Sequence, residues 1–129
     1  MRKVLGIAAQ DIERISLAFF TSQTLEREFT VDGAPETYLQ AVHDTLQTWQ
    51  LTADDLDAVV VVRGPGSFTA SRVSTVIANT LAFIHHLPII ALENTTKKSW
   101  KELAAEIPWE KAEKDVFVLP LYDRPPHIT

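Results

Sequence analysis

Several features that would assign this chain to a functional class are missing from its sequence. It contains no cysteine, which excludes disulfide bridges, thiolate metal sites and cysteine nucleophiles. No apolar run approaches the roughly 18 residues that a membrane-spanning helix needs. The N-terminal run Val4–Ala9 is also too short for a signal peptide, because polar residues stop it. The formal net charge is −5. Since the sequence also has no basic stripe, this charge argues against direct electrostatic binding to nucleic acid.

Catalytic motifs are missing as well. There is no phosphate-binding GxxxxGK[ST] loop and no Gly-x-Ser-x-Gly nucleophile turn. The first apolar segment carries no carboxylate for a metal-dependent nuclease. Asp54, Asp55 and Asp57 are typical of a turn and a strand entry. The histidines stand at positions 43, 85, 86 and 127 without metal-ligand spacing. We therefore predict no catalytic residue, no metal ligand and no cofactor.

What is present indicates one α/β domain, because 129 residues are enough for one core but not two. Alternating or continuous apolar segments predict strands, and apolar residues at helical spacing predict helices. The predicted strands are 4–9, 14–20, 25–31, 57–62, 89–92 and 115–121, and the predicted helices are 35–49, 69–87 and 97–106. The order β-β-β-α-β-α-β-α-β predicts a mixed sheet with helices packed on it, as in the ribonuclease H-like and actin-like half-domain. We expect this domain to cover residues 1–122 and a loose tail to cover 123–129.

The segment that joins the fourth strand to the second long helix is Gly- and hydroxyl-rich. Free N–H groups at a helix N-terminus can hold an anion, with help from flanking arginines. The residues that would form such a turn are Arg63, Gly64, Gly66, Ser67, Thr69 and Arg72. A tight turn in which Ser67 or Thr69 caps the helix explains the same residue types without a ligand.

The helix after this turn carries two kinds of stripe. Val73, Val76, Ile77, Leu81 and Ile84 are large and suit the side that packs on the sheet. Ala70, Ser74, Ala78 and Ala82 recur every four residues and are small, with Ser71 and Thr75 beside them. A small stripe lets another helix approach closely. That helix is either the one at 35–49 in this domain or a helix of a partner.

The run Arg63-Gly64-Pro65-Gly66-Ser67-Phe68-Thr69, followed by Arg72-Val73, resembles the bacterial TsaB (YeaZ) family. The resemblance is clearest over residues 55–93. It implies the ribonuclease H/actin-like half-domain and a non-catalytic role beside TsaD, the related protein that carries the active site. Together with TsaE, such complexes place threonylcarbamoyl on adenosine 37 of tRNAs that read ANN codons. Members of the family also form homodimers, and both contacts use the two long helices.

The sequence also departs from the family. Ala8 and Ala9 stand where an Asp-Thr pair is usual, and Ala34 stands near a usual histidine. Ala70, Ser74 and Thr80 replace helix glycines, which should favour the helix by roughly 0.5–1 kcal/mol per site. The second domain that family members usually carry is expected to be absent.

These observations lead us to predict a scaffold that contacts a TsaD-like subunit and, through that complex, a TsaE-like ATPase. We also expect a homodimer when the chain is alone, only indirect contact with tRNA, no membrane association and a cytoplasmic location. The predicted partner-binding residues are Leu39, Val42, His43, Leu46, Ser71, Ser74, Thr75, Ala78 and Ala82. Two alternatives remain open: a self-associating module with another partner, and a nucleotide-binding protein that uses the Gly64-Pro65-Gly66 turn.

Overall fold

The computed structural model describes residues 2–122, which form a five-stranded mixed sheet with helices on both faces. The strands are β1 (Lys3–Ala8), β2 (Arg14–Thr21), β3 (Thr24–Asp32), β4 (Ala58–Gly64) and β5 (Ile89–Glu93), and the helices are α1 (Tyr38–Thr48), α2 (Phe68–Ile84) and α3 (Trp100–Leu103). Among the described residues, no helix is long and apolar enough to cross a membrane. The predicted tail at 123–129 lies outside the described residues.

The strand order is β3-β2-β1-β4-β5. β1, β2 and β3 pair antiparallel in sequence order, whereas β4 lies parallel between β1 and β5. This is the predicted mixed sheet, and it confirms the predicted fold class. The valine run of β4 explains its central place, because every residue from Ala58 to Val62 is buried, as expected for a parallel strand covered on both faces.

The two faces of the sheet carry separate cores. Alternate residues of β1 and β4, such as Leu5 and Val59, face α1 and α2. Their neighbours, such as Val4 and Val60, face Trp100 and the residues that follow it. The helices of the first face are the longer ones, so they present most of the helical surface of the domain.

The packing of α2 differs from the sequence expectation for part of the helix. Its small residues Ala70, Ser74 and Ala78 are fully buried, and α2 packs mainly on β4. Val76 and Ile84, which were predicted to face the sheet, are more than half exposed. The physical reason is that small side chains let the helix axis lie close to the valine surface of β4. Val76 and Ile84 are therefore turned outward, whereas Ile77 is buried as predicted.

The predicted last strand, 115–121, is wrong. That segment forms no strand, and isolated bridges flank it, between Glu113 and Ile89 and between Tyr122 and Gly66. Near the centre of the segment, the side-chain amide of Asn79 makes the backbone hydrogen bonds that a neighbouring strand would otherwise make. It donates to the Val118 carbonyl and accepts from the Val118 N–H, both at 2.9 Å.

The predicted helices are also longer than the observed ones. α2 ends at Ile84 instead of Leu87, because His86 adopts a left-handed φ of 54° that stops the helix. The predicted helix 97–106 is a single α-helical turn, α3, continued by a 3₁₀ turn at Ala104–Glu106. A capping box between Ser99 and Glu102 fixes where α3 begins.

Candidate protein-binding surface

The Gly-Pro-Gly turn between β4 and α2 is closed by contacts within the chain. Gly64 has a φ of 132°, and a Cβ there would overlap the carbonyl of Leu121, so only glycine fits. The N–H of Ser67 donates to the carbonyl of Gln10 at 2.8 Å. The Ser67 hydroxyl accepts from the N–H of Ala70 at 3.3 Å, which makes it the predicted helix cap.

Gln10 and Asn94 form a polar link behind this turn. The Gln10 amide donates to the carbonyls of Pro65 and Asn94, both at 2.7 Å. The Asn94 amide donates to the Gln10 side-chain oxygen at 3.0 Å. This link fills the space beside Gly66, whose Cβ would lie 2.7 Å from Gln10 atoms.

The two arginines of the predicted anion-binding turn lie on different surfaces. Arg63 donates to the carbonyl of Leu119 at 2.8 Å and pairs with Glu93 at 3.3 Å. Arg72 and Thr69 line a groove between the N-terminal ends of α1 and α2. The structure therefore does not bring Arg63 and Arg72 together around one ligand.

Most of the predicted partner-binding residues are interior residues of this domain. Leu39 and His43 are exposed on α1. The other seven are all less than a tenth exposed: Val42, Leu46, Ser71, Ser74, Thr75, Ala78 and Ala82. They hold α1 and α2 on the sheet, so their direct contact with a partner does not agree with this packing, and the surface they support consists of other side chains.

The exposed surface of α2, together with Leu39 of α1, carries several large apolar side chains. Leu39 is 63% exposed, Val76 55% and Phe83 68%, and Phe68 and Ile84 are exposed beside them. Between Leu39 and α2 lies a groove of about 450 Å³. Leu39, Phe68 and Val76 line this groove together, and grouped apolar side chains of this kind mark an interaction site more often than scattered single residues do.

The segment that follows β5 extends this surface. Phe117 is 70% exposed and its ring stacks on that of Phe83, with 6.4 Å between ring centroids. Leu119 is exposed to a similar degree. The predicted partner-binding residues include none of Phe83, Phe117 and Leu119. The last two lie in the run 115–121, which the sequence predicts as a strand. The apolar composition of this run was the available signal. Outside a sheet, such side chains pack on another surface or stay exposed.

The titratable groups with shifted pKa values have structural explanations. Burial raises the pKa of the Tyr38 hydroxyl, which lies among the backbone groups of Asp11, Ile12 and Arg14 and ties α1 to the β1–β2 turn. Hydrogen bonds from the Lys3 and Arg2 N–H groups lower the pKa of Asp57. Within residues 2–122 no three His, Cys, Asp or Glu side chains lie close enough together to hold a metal ion.

A second cleft, on the opposite face of the sheet, is polar and has a volume of about 520 Å³. It lies between the β2–β3 hairpin and α3, with Trp100 among its lining residues. Charged side chains at its rim form ion pairs, such as Lys97 with Asp11 at 3.0 Å and Arg14 with Asp32 at 3.1 Å. Exposed pairs of this kind contribute little to stability, and they leave this cleft less favourable for protein binding than the apolar surface of α1 and α2.

Comparisons with known proteins agree with the resemblance seen in the sequence. Residues 35–98 match the family model of TsaD, tRNA N6-adenosine threonylcarbamoyltransferase. The tRNA threonylcarbamoyladenosine biosynthesis protein TsaB of Bacillus subtilis is 37% identical over 90 residues, which cover 70% of this chain and 36% of that protein. The Haemophilus influenzae TsaB is 41% identical over 58 residues, or 45% of this chain and 25% of that protein.

The comparison with solved structures supports the predicted fold. The structure of YeaZ from Pseudomonas aeruginosa superposes with a TM-score of 0.61 at 24% identity, covering 73% of this chain and 45% of that one. The chain thus spans less than half the length of these relatives. The sequence identity to the two TsaB proteins shows that the chain belongs to the TsaB (YeaZ) family.

Proposed function

We propose that this chain is a non-catalytic subunit in the formation of threonylcarbamoyladenosine in tRNA, and that it works by binding a TsaD-like protein. The observation that carries this proposal is the apolar surface of α1 and α2, on which Leu39, Val76 and Phe83 are more than half exposed. A surface this apolar is costly in water unless another protein covers it.

The match to the TsaD family model supports a partner of that class. It spans residues 35–98 and therefore includes both α1 and α2. A protein that resembles this segment would carry a similar pair of helices. Two similar helix pairs can meet face to face with approximate two-fold symmetry, the arrangement most common among protein dimers.

The closed turn supports a role without catalysis. β1 ends at Ala8, and neither Ala8 nor Ala9, which follows it, offers a group for acid–base chemistry or metal binding. The N–H of Ser67 and the space beside Gly66 are taken by Gln10. The predicted contacts with a TsaE-like ATPase and with tRNA through the complex stay predictions.

Co-elution tests the proposal directly. The chain is mixed with the TsaD-like protein of the same genome, and the mass of the mixture is measured by light scattering during chromatography. We expect a mixed complex with the unchanged chain and its loss with Leu39→Asp, because a carboxylate would be buried unpaired in the interface. Phe29→Asp is the matched control, since Phe29 is equally apolar and 54% exposed, but on β3.

Two outcomes would contradict the proposal. One is the absence of any mixed complex with the unchanged chain, and the other is undiminished binding by Leu39→Asp. The threonylcarbamoyladenosine content of tRNA, measured with and without the chain, then shows whether the complex has the proposed role in modification.

A further inference from the structure

Phe68, the first residue of α2, connects an apolar groove to the end of the segment that follows Glu113. The groove lies between α1 and α2, has a volume of about 450 Å³, and has Leu39, Phe68 and Val76 among its lining residues. The Phe68 ring also packs on the ring of Tyr122, with 4.6 Å between the two centroids. Tyr122 is therefore held directly beside one end of the groove.

Two charged side chains at this groove have no ion-pair partner within residues 2–122. They are Glu36, which precedes α1, and Arg72 of α2. Both are exposed, and the ion pairs of this part of the chain join other residues. An occupant with an apolar side chain, one acidic group and one basic group would complement the groove in both polarity and charge.

The sequence that follows Tyr122 has this composition. It contains one acidic residue, one arginine, a proline pair and one large apolar side chain, in the order Asp123, Arg124, Pro125, Pro126 and Ile128. A proline pair lowers the chain entropy that a segment loses when it docks on a groove. Seven residues reach up to about 22 Å at about 3.1 Å per residue. The groove follows α2 from Phe68 to Val76, a distance of only about 12 Å at 1.5 Å per residue.

We propose that residues 123–129 of this chain occupy the groove between its own α1 and α2. Ile128 contacts the apolar lining, Asp123 pairs with Arg72, and Arg124 pairs with Glu36. This occupancy covers Leu39 and Val76, and it does not depend on the proposed function. A consequence that does rest on the proposed function is that the segment and a TsaD-like protein compete for the groove.

A spin label on the full chain tests where the segment lies. Because the chain contains no cysteine, Thr129→Cys provides a single attachment site for a nitroxide, which broadens the NMR signals of nearby nuclei. We expect strong broadening of the methyl signals of Leu39 and Val76. Leu103 should show none, because it lies in the core on the opposite face of the sheet. Equal broadening at Val76 and Leu103, or none at either, overturns the proposal.

A second substitution separates docking in the groove from simple attachment beside Phe68. In the labelled chain, Leu39→Ser removes an apolar contact and should lower the ratio of docked to released segment roughly tenfold, as for the loss of one buried apolar side chain. The broadening at Val76 should fall accordingly. Phe29→Ser is the matched control, since Phe29 is similarly exposed but on β3, and it should leave the broadening unchanged. Broadening at Val76 that Leu39→Ser does not reduce comes from attachment alone and overturns the proposal.

A mixed sample shows which copy of the chain supplies the segment. One population carries the nitroxide, and the other carries the isotope label without a nitroxide. Broadening at Val76 should be much weaker in this mixture than when both labels are on one chain. Equal broadening in the two samples would assign the segment to a second copy and overturn the proposal. Because these measurements omit the TsaD-like protein, their failure is distinct from a failure of the proposed function.

Discussion

At the scale of single residues, small side chains decide how this domain packs. Ser71, Ser74 and Thr75 are buried between α2 and the sheet, where larger residues would push the helix away. The hydroxyls of Ser74 and Thr75 both donate to the carbonyl of Ser71, at 3.2 and 2.6 Å. Such back-bonding satisfies a buried hydroxyl without help from another element.

Ser71 differs from its neighbours, because its buried hydroxyl has no hydrogen-bond partner within the described part of the chain. We expect Ser71→Ala to raise the free energy of unfolding by about 1 kcal/mol, since a buried polar group without a partner costs about that much or more. Urea denaturation followed by circular dichroism measures the change.

Ser74→Ala serves as the comparison for this prediction, because its hydroxyl does have an acceptor. It should stabilise the domain less than Ser71→Ala. A clear loss of stability in Ser71→Ala would show that the hydroxyl has a partner after all.

At the scale of secondary-structure elements, the edges of the sheet are protected in different ways. β3 is an edge strand with Glu26, Arg27 and Glu28 exposed along it, and charges on an edge discourage pairing with other chains. β5, the other edge, is partly covered by the backbone of Glu113, which exchanges two hydrogen bonds with Ile89. Exposed charges protect the β3 edge of the sheet, and the backbone around Glu113 protects the β5 edge.

The junction of β1 and β4 gives a pH-dependent prediction. Asp57 accepts hydrogen bonds from the N–H groups of Arg2 and Lys3, both at 2.9 Å, and these bonds lower its pKa. A carboxyl whose pKa is lower in the folded state stabilises the fold above its unfolded pKa of about 3.9, and this contribution is lost as pH falls through the folded value.

We therefore expect Asp57→Asn to be less stable than the unchanged chain at pH 7, and the difference to shrink as the pH falls below about 4. Free energies of unfolding between pH 7 and pH 2.5 test this. Glu28→Gln, on the exposed edge strand, is the control and should show a smaller change with pH. A difference for Asp57→Asn that stays constant over the whole range would contradict the assignment.

At the scale of the whole molecule, a side chain of α2 helps to fix the path of the segment from Glu113 to Tyr122. Asn79 makes both hydrogen bonds to Val118, 39 residues further along the chain. That segment in turn carries Phe117 to the apolar surface and Leu121 to the carbonyl of Arg63 at 2.7 Å.

Asn79→Ala should destabilise the domain by about 1–3 kcal/mol, because it leaves a buried N–H and a buried carbonyl without partners. It should also make the segment from Glu113 to Tyr122 more susceptible to limited proteolysis under native conditions. Thr80→Ala, at the next and exposed position of α2, should change neither property. Equal cleavage rates in Asn79→Ala and the unchanged chain would mean that Asn79 does not hold the segment.

The sequence by itself determined the local elements and the fold class. Alternation predicts β2, the valine run predicts β4 as a buried parallel strand, and glycine and serine predict the turn into α2, because each depends on neighbours a few residues away. These predictions agree with the structure to within a few residues at most boundaries.

Only the tertiary structure decided which side of α2 faces the sheet and where the run 115–121 lies. Helical periodicity separates small from large residues but does not say which set faces the core, since that depends on how closely the valine surface of β4 lets the helix approach. Likewise, the run 115–121 has the composition of a strand, but its hydrogen bonds go to Asn79 and Arg63, which are far away in sequence. The orientation of α2 and the path of the run 115–121 together place the exposed apolar side chains on the surface that we propose to bind proteins.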